Sequence, residues 1–216
     1  ADGDGSDSDL AAQPWWVAPT PQRRSVPLEV KPTIQSLSAA GADRYSWPVT
    51  ESPERISGIL IHAWLARFAS GSVSQRPVVP EHAALERQLR ALGMPAPLRA
   101  DAAVEVASAL TAMLESAHGQ WLLAQPLRQV EWALIDTRQT VSIMDLAIDL
   151  PEGWLVVDYK TSRPFEGEDR GAFEARMVAR YGTQMQRYRE QLQALDGRGA
   201  RSVLYFPRDD IWLEVS

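Results

Sequence analysis

Residues Gly153 to Thr161 (Gly-Trp-Leu-Val-Val-Asp-Tyr-Lys-Thr) set an aspartate and a lysine two positions apart at the end of an apolar run. An apolar run with no alternation of its own marks a short strand buried on both faces. Side chains alternate along a strand, so Asp158 and Lys160 point to one side and Tyr159 to the other. A carboxylate and an ammonium so placed are costly unless they pair, bind a metal or carry out chemistry. Of the 22 basic residues only Lys31 and Lys160 are lysine. A compact ammonium whose pKa can shift therefore stands where arginine is otherwise the rule.

The 216 residues suffice for one sizeable domain and an appendage, and a content of 45% hydrophobic and 23% charged residues is that of a soluble globular chain. No apolar run approaches the ~20 residues that cross a bilayer, so no membrane partner is expected. The polar, acidic opening residues carry no secretory pattern, and a cytoplasmic location is expected. The chain has no Cys, which rules out a disulfide framework and an Fe–S cluster. A net charge of −6 is unlike a freestanding duplex binder, whose affinity comes largely from basic groups on phosphate. Any grip on nucleic acid is expected to come mostly from outside these residues.

Along the chain, residues 1–53 read as an extended, partly disordered tether. Asp2, Asp4, Asp7 and Asp9 alternate with Gly and Ser, and seven of the 15 prolines precede Glu54. Residues 54–216 form the expected folded domain. Ser52 as cap and Pro53 at the first helical position open a largely buried helix to about Ala69. Its apolar middle carries His62, which suits either a core imidazole bonded to a carbonyl or a metal ligand. Further helices are expected over Glu81–Leu92, closed by Gly93, and over Asp101–Ser116. His82 and His118 fall near helix ends and are expected to be solvated.

After Gly119 the period changes to that of strands. Leu127–Ile135 puts Val130, Trp132 and Leu134 on one face and Gln129, Glu131 and Ala133 on the other. Val141–Asp149 follows, with Asp145 facing opposite to Met144 and Leu146. A short connection at Thr137-Arg138-Gln139 and a turn at Pro151-Glu152-Gly153 complete a three-strand meander with the Gly153 strand. A long helix from Arg170 to about Leu195 then aligns Met177, Tyr181, Gln184 and Tyr188, with Arg176, Arg180 and Arg187 on the adjacent stripe. Short strands at Ser202–Phe206 and Ile211–Val215 close the chain.

Glu131, Asp145 and the Asp158/Lys160 pair thus fall on successive strands about 4.8 Å apart, where acids at matching heights can converge on one ion. Mg²⁺ keeps waters and substrate phosphates in most of its positions, so one or two carboxylates suffice to hold it. A neighbouring lysine can orient or deprotonate water, or stabilise charge on a phosphate. The purely structural alternative is a buried Asp–Lys pair beside unrelated surface acids.

Asp145, followed thirteen positions on by Asp158-Tyr159-Lys160-Thr161, resembles the PD-(D/E)XK nuclease superfamily. Within it the chain is similar to the C-terminal nuclease domain of RecB/AddA-type (UvrD-like) helicase–nucleases. Gly58 to His62 match that group's Gly-x-x-x-His helix and Glu131 its first-strand Glu. Ser142-Ile143-Met144-Asp145 stands for its Gly-x-Ile-Asp strand, and Tyr181, Gln184 and Tyr188 match its Tyr-x-x-Gln-(x)₃-Tyr helix. The group's helix Glu is Ala66 here, and its strand Gly is Ser142.

The resemblance implies an α/β restriction-endonuclease-like fold with a mixed sheet flanked by helices. It implies Mg²⁺, replaceable by Mn²⁺, held by His62, Asp145, Asp158 and the Tyr159 carbonyl, with Lys160 as catalytic lysine. Gln184 and Tyr188 become groups that contact DNA or support the metal shell, with the arginine stripe as a phosphate track. The implied activity is an exodeoxyribonuclease V-like exonuclease or endonuclease acting in double-strand-break processing, recombination and repair. No Gly-x-x-x-x-Gly-Lys-(Ser/Thr) loop occurs. The ATP motor is therefore expected elsewhere in a longer helicase polypeptide, with an AddB/RecC-like partner subunit feeding single-stranded DNA. A rival reading is a catalytically inactive nuclease-fold module that threads DNA or braces a partner.

Overall fold

A computed structural model of the chain describes residues 52–74, 76–136 and 141–216. The tether expected over 1–53 lies almost wholly outside them, as does the tip of the first hairpin. Helix α1 (Pro53–Ser70) begins where Ser52 accepts a hydrogen bond from the Arg55 amide at 3.3 Å, with proline in the first turn. Helices α2 (His82–Ala91) and α3 (Arg99–Glu115) follow, and α1, α2 and α3 pack on one another through Leu65, Leu85, Leu89, Val106 and Leu110. The sequence reading missed α4 (Ala117–Ala124), which the Ser116 side chain caps by accepting from the Gly119 amide at 3.0 Å. Strand period therefore begins only after Ala124.

Five strands form one mixed sheet in the order β1-β2-β3-β4-β5: β1 (Arg128–Ile135), β2 (Val141–Leu150), β3 (Gly153–Tyr159), β4 (Ala200–Phe206) and β5 (Ile211–Glu214). β1, β2 and β3 are successively antiparallel, so the expected meander is present. β3 and β4 run parallel, joined through the long helix α5 (Arg170–Asp196), and β5 returns antiparallel to β4. Every residue of β3 is buried, as its unbroken apolar run requires. Gly153 makes the turn into β3 possible: its φ is +133°, and a Cβ there would lie 2.2 Å from the Gly199 carbonyl oxygen. Asp169 caps α5 by accepting from the Ala172 amide at 2.9 Å, and Gly197, at φ +79°, ends it.

The sheet separates two cores. Leu146, Ile148, Leu155, Val157 and Tyr159 pack against α1 to α4, whereas Met144, Ala147, Trp154 and Val156 pack against Phe173, Met177, Met185 and Leu192 of α5. The expected facing of β1 and β2 is corrected here. Val130 and its rung partner Leu146 belong to the α1 side, but Trp132 and its partner Met144 belong to the α5 side. Both strands turn over between these rungs, at Glu131 and Asp145. Glu131 has a φ of 49°, a left-handed conformation that breaks the simple alternation. That exchange of faces places the site.

Candidate metal and nuclease site

The site lies at the end of β3, between α1 on one layer and α5 on the other. Asp145, at the turnover in β2, accepts a hydrogen bond from the Tyr159 amide through Oδ2 at 2.8 Å. The same oxygen lies 3.5 Å from Nδ1 of His62. Helix α1 comes close enough to deliver that imidazole because Gly58, one turn earlier, has no side chain: a Cβ there would lie 3.2 Å from Thr161 Oγ1. His62 is half-buried and meets the Tyr159 ring edge-on. Burial disfavours its charged form, but the carboxylate of Asp145, aided by that of Asp158, outweighs burial and raises the imidazole pKa.

Asp158 is only 3% exposed. Its Oδ2 contacts the Lys160 ammonium, and its Oδ1 receives a hydrogen bond from Gln184 of α5 at 3.4 Å. As expected from strand alternation, Asp158 and Lys160 share the α5 side and Tyr159 packs into the α1 side. The Lys160 ammonium sits 4.1 Å from the centre of the Tyr181 ring, so that ring and the carboxylate hold it from two directions. Desolvation and the neighbouring charge of Asp145 raise the Asp158 carboxyl to about 6, against the opposing pull of Lys160.

Glu131 faces the cleft as well. It lines a depression of about 610 Å³ together with His62, Asp145, Gly58, Ala66 and Thr161. Burial, then the charge of Asp145, raises its carboxyl, and His62 opposes the shift. Tyr188 is buried: its hydroxyl receives a hydrogen bond from Gln184 at 2.6 Å and donates to the Ile143 carbonyl at 2.8 Å. It braces Gln184 and β2 rather than reaching substrate. The arginine stripe is corrected at Arg176, whose guanidinium is engaged with Glu168 and stacked on Phe165, which leaves it unsuited to a phosphate track. His118 is not simply solvated either. It bonds Asp210 at 3.0 Å and stacks on Trp212 with ring centres 4.8 Å apart. The close approach of Gly58 to Thr161 has no signal in the local pattern, although Gly58 and Thr161 belong to the Gly-x-x-x-His and Asp-Tyr-Lys-Thr motifs.

The donors suit a hard divalent cation. Two carboxylates from adjacent strands face each other closely enough for one to raise the other's pKa, a repulsion that a divalent charge would relieve. An imidazole flanks them. Among the described residues no three His, Asp or Glu side chains close around one point. Such an open set matches an ion that keeps water and phosphate oxygens in most positions, and not one that needs a closed cage.

Comparison with curated proteins finds no matching relative. The family model of the PD-(D/E)XK nuclease superfamily matches residues 38–211, from upstream of α1 through Ile211 at the start of β5. The mixed sheet, the meander carrying Asp145 and Asp158-Tyr159-Lys160, and the flanking helices are the α/β restriction-endonuclease-like arrangement, and with most of its length matched the chain belongs to the PD-(D/E)XK nuclease superfamily.

Proposed function

We propose that the chain is a metal-dependent deoxyribonuclease domain that hydrolyses phosphodiester bonds within a RecB/AddA-type helicase–nuclease. The observation that carries the catalytic part is the convergence of Asp145, Asp158, Lys160 and His62 at the end of one buried strand. Asp145 and Asp158, with His62 and the Tyr159 carbonyl, are the groups that would hold Mg²⁺ or Mn²⁺. Such an ion supplies a bound water of lowered pKa and neutralises charge developing on phosphate.

The chain's own groups do the rest. Lys160, beside Asp158, presents an ammonium that can orient the attacking water or take up charge on the phosphate. The Tyr181 ring keeps that ammonium in place, and Gln184, braced by Tyr188, orients the Asp158 carboxylate. Nothing in this arrangement needs a covalent enzyme intermediate; an in-line water attack suffices.

The wider setting rests on sequence likeness to the helicase–nuclease group: Gly58 to His62, Glu131, Asp158-Tyr159-Lys160-Thr161 and Tyr181/Gln184/Tyr188. In that setting a motor and an AddB/RecC-like subunit deliver single-stranded DNA during end processing in recombination and repair. The test is cleavage of labelled single-stranded DNA with Mg²⁺ or Mn²⁺ by the native chain, Asp158→Ala and Lys160→Ala. Cleavage confined to the native chain supports hydrolysis. DNA binding without cleavage by any of the three favours the inactive scaffold.

A further inference from the structure

The loop between β3 and α5 holds an aromatic ring in solvent beside Lys160. Phe165 is 66% exposed, and it lines a cleft of about 480 Å³ together with Lys160, Thr161, Ser162, Arg163 and Arg208. Exposure of a phenyl ring is usually a sign of a slack loop, but this one is tied down. The Phe165 amide donates to Glu168 Oε2 at 2.8 Å, and the Glu168 amide donates back to the Phe165 carbonyl at 3.0 Å. The turn is completed by Gly167 at φ +77°. Arg176 of α5 then packs its guanidinium 3.9 Å from the centre of the Phe165 ring. That guanidinium is itself fixed by Glu168, at 2.7 and 2.6 Å, and by the Arg163 carbonyl at 3.1 Å. The ring is preorganised and backed by a cation, yet most of its surface meets water.

We propose that Phe165 is a stacking platform for an unpaired base of the DNA strand entering the site. This rests on the nuclease reading and narrows its substrate to single-stranded or frayed DNA. A flat ring held rigidly in solvent loses little freedom when a base lands on it, and every base offers a π-face once it is unstacked from its neighbours. In a duplex those faces are already covered, so the ring discriminates for the single strand without reading sequence. The charges around it suit the same ligand. Arg163 and Arg208 line the same cleft as Phe165 and the lysine, both paired with Glu105, where a strand's phosphates can compete for them. Arg176 serves as a prop for the ring, which accounts for a stripe arginine whose guanidinium is engaged by Glu168 and the Arg163 carbonyl.

The test measures fluorescence anisotropy of a labelled oligo(dT) and of a duplex of the same length, in EDTA so that no cleavage occurs, with the full chain and with Phe165→Ala and Phe165→Trp. Phe165→Ala should weaken oligo(dT) binding about tenfold, within the ~1–3 kcal/mol that one base–aromatic stack contributes. Phe165→Trp should bind as tightly as the native chain or better, and duplex binding should move less than about twofold, since it lacks a free base to stack. An equal loss on both DNAs, no loss with Phe165→Ala, or no binding of oligo(dT) by the native chain overturns the proposal. Because binding is read without metal, the outcome is separable from the hydrolase reading. A Phe165-dependent binder that never cleaves with Mg²⁺ or Mn²⁺ keeps the platform and loses the nuclease assignment. A chain that cleaves but binds oligo(dT) independently of Phe165 does the reverse.

Discussion

The amide of Tyr159 donates to Asp145 Oδ2 across neighbouring strands, at 2.8 Å. One carboxylate therefore satisfies a buried main-chain donor and, in the proposed function, also faces the cation site. Asp145→Ala leaves that amide unpaired, which costs about 1–3 kcal/mol, and it removes a donor of the proposed metal site. Asp145→Asn can still accept the bond through its amide oxygen. The two variants should be equally inactive but unequally stable, with Asn near the native chain and Ala clearly below it in urea denaturation. Equal stability of the two would mean that the strand-to-strand bond contributes little.

Asp158 makes the metal-free protein sensitive to pH in a direction opposite to most carboxylates. Its native pKa is raised above the ordinary value of 3.8, to about 6, by burial and by Asp145. The folded chain thus holds this proton more tightly than the unfolded chain does. The stability it contributes is complete below 3.8 and is lost as pH rises toward about 6. Glu168 and Asp196, whose pKa values are lowered, bend the curve the other way at lower pH. The comparison is therefore native minus Asp158→Asn, in EDTA. That difference should fall across this window, and Mg²⁺ or Mn²⁺ should flatten it by giving the ionised carboxylate a partner. A difference independent of pH would contradict the raised carboxyl.

Lys160 and Asp158 are both largely buried and in contact, so each protects the other. Removing one partner of such a pair typically costs about 3–5 kcal/mol, whereas replacing both by apolar groups of similar volume is often neutral. Lys160→Met at pH 7 should therefore be strongly destabilising, and less so at pH 5, where Asp158 takes up its proton. The double variant Asp158→Leu/Lys160→Met should recover most of the loss while remaining inactive. A double-mutant cycle in guanidinium at both pH values measures the coupling; additive losses would show that the two charges do not interact.

How far the sequence reading reached depends on whether a feature was local. The buried β3 and the cap at Ser52 are written in a few adjacent residues and appear where expected, and α5 (Arg170–Asp196) ends one residue beyond the expected Leu195. Helix α4 was missed because Trp121, Leu122 and Leu123 are consecutive apolar residues with no helical stripe, and only the Ser116 cap marks its start. The turnover at Glu131 and Asp145 was invisible because a period-2 pattern assumes a regular backbone, and a φ of 49° at a glutamate follows from packing on both sheet faces. His118 finds Asp210 92 residues away, a pairing no local pattern encodes. The candidate site was proposed mainly from spacing, and the structure does put Asp145 and Asp158 on consecutive strands of one meander, with Lys160 directly after the second.

Gly58 tests whether His62 matters through its position. An alanine Cβ at this position would lie 3.2 Å from Thr161 Oγ1, a contact that a shift of a few tenths of an ångström relieves. Gly58→Ala should keep the fold, since alanine also favours the helix by about 1 kcal/mol over glycine, and it should lower cleavage only modestly. Gly58→Val adds two methyl groups against Thr161 and must push α1 away from β3, carrying His62 with it. Activity should then fall to the level of His62→Ala, and Mn²⁺ should be needed at higher concentration for half-maximal rate. A Gly58→Val variant with native metal dependence would separate His62 from the metal.

Glu131 sits in a left-handed conformation that costs a non-glycine residue about 1–2 kcal/mol. Strain of that kind persists where the surrounding structure imposes it, and here it turns β1 over beside Asp145. Glycine adopts the same backbone without penalty, whereas alanine keeps the penalty and loses the carboxylate. Glu131→Gly should therefore be more stable than Glu131→Ala by about 1 kcal/mol, read from urea midpoints at equal slope. Both variants lose the side chain that faces His62 and Asp145 across the cleft, so both should cleave DNA equally slowly if the carboxylate matters. If Glu131→Gly cleaves at the native rate while Glu131→Ala does not, the position serves the fold through its backbone and the glutamate has no part in the chemistry.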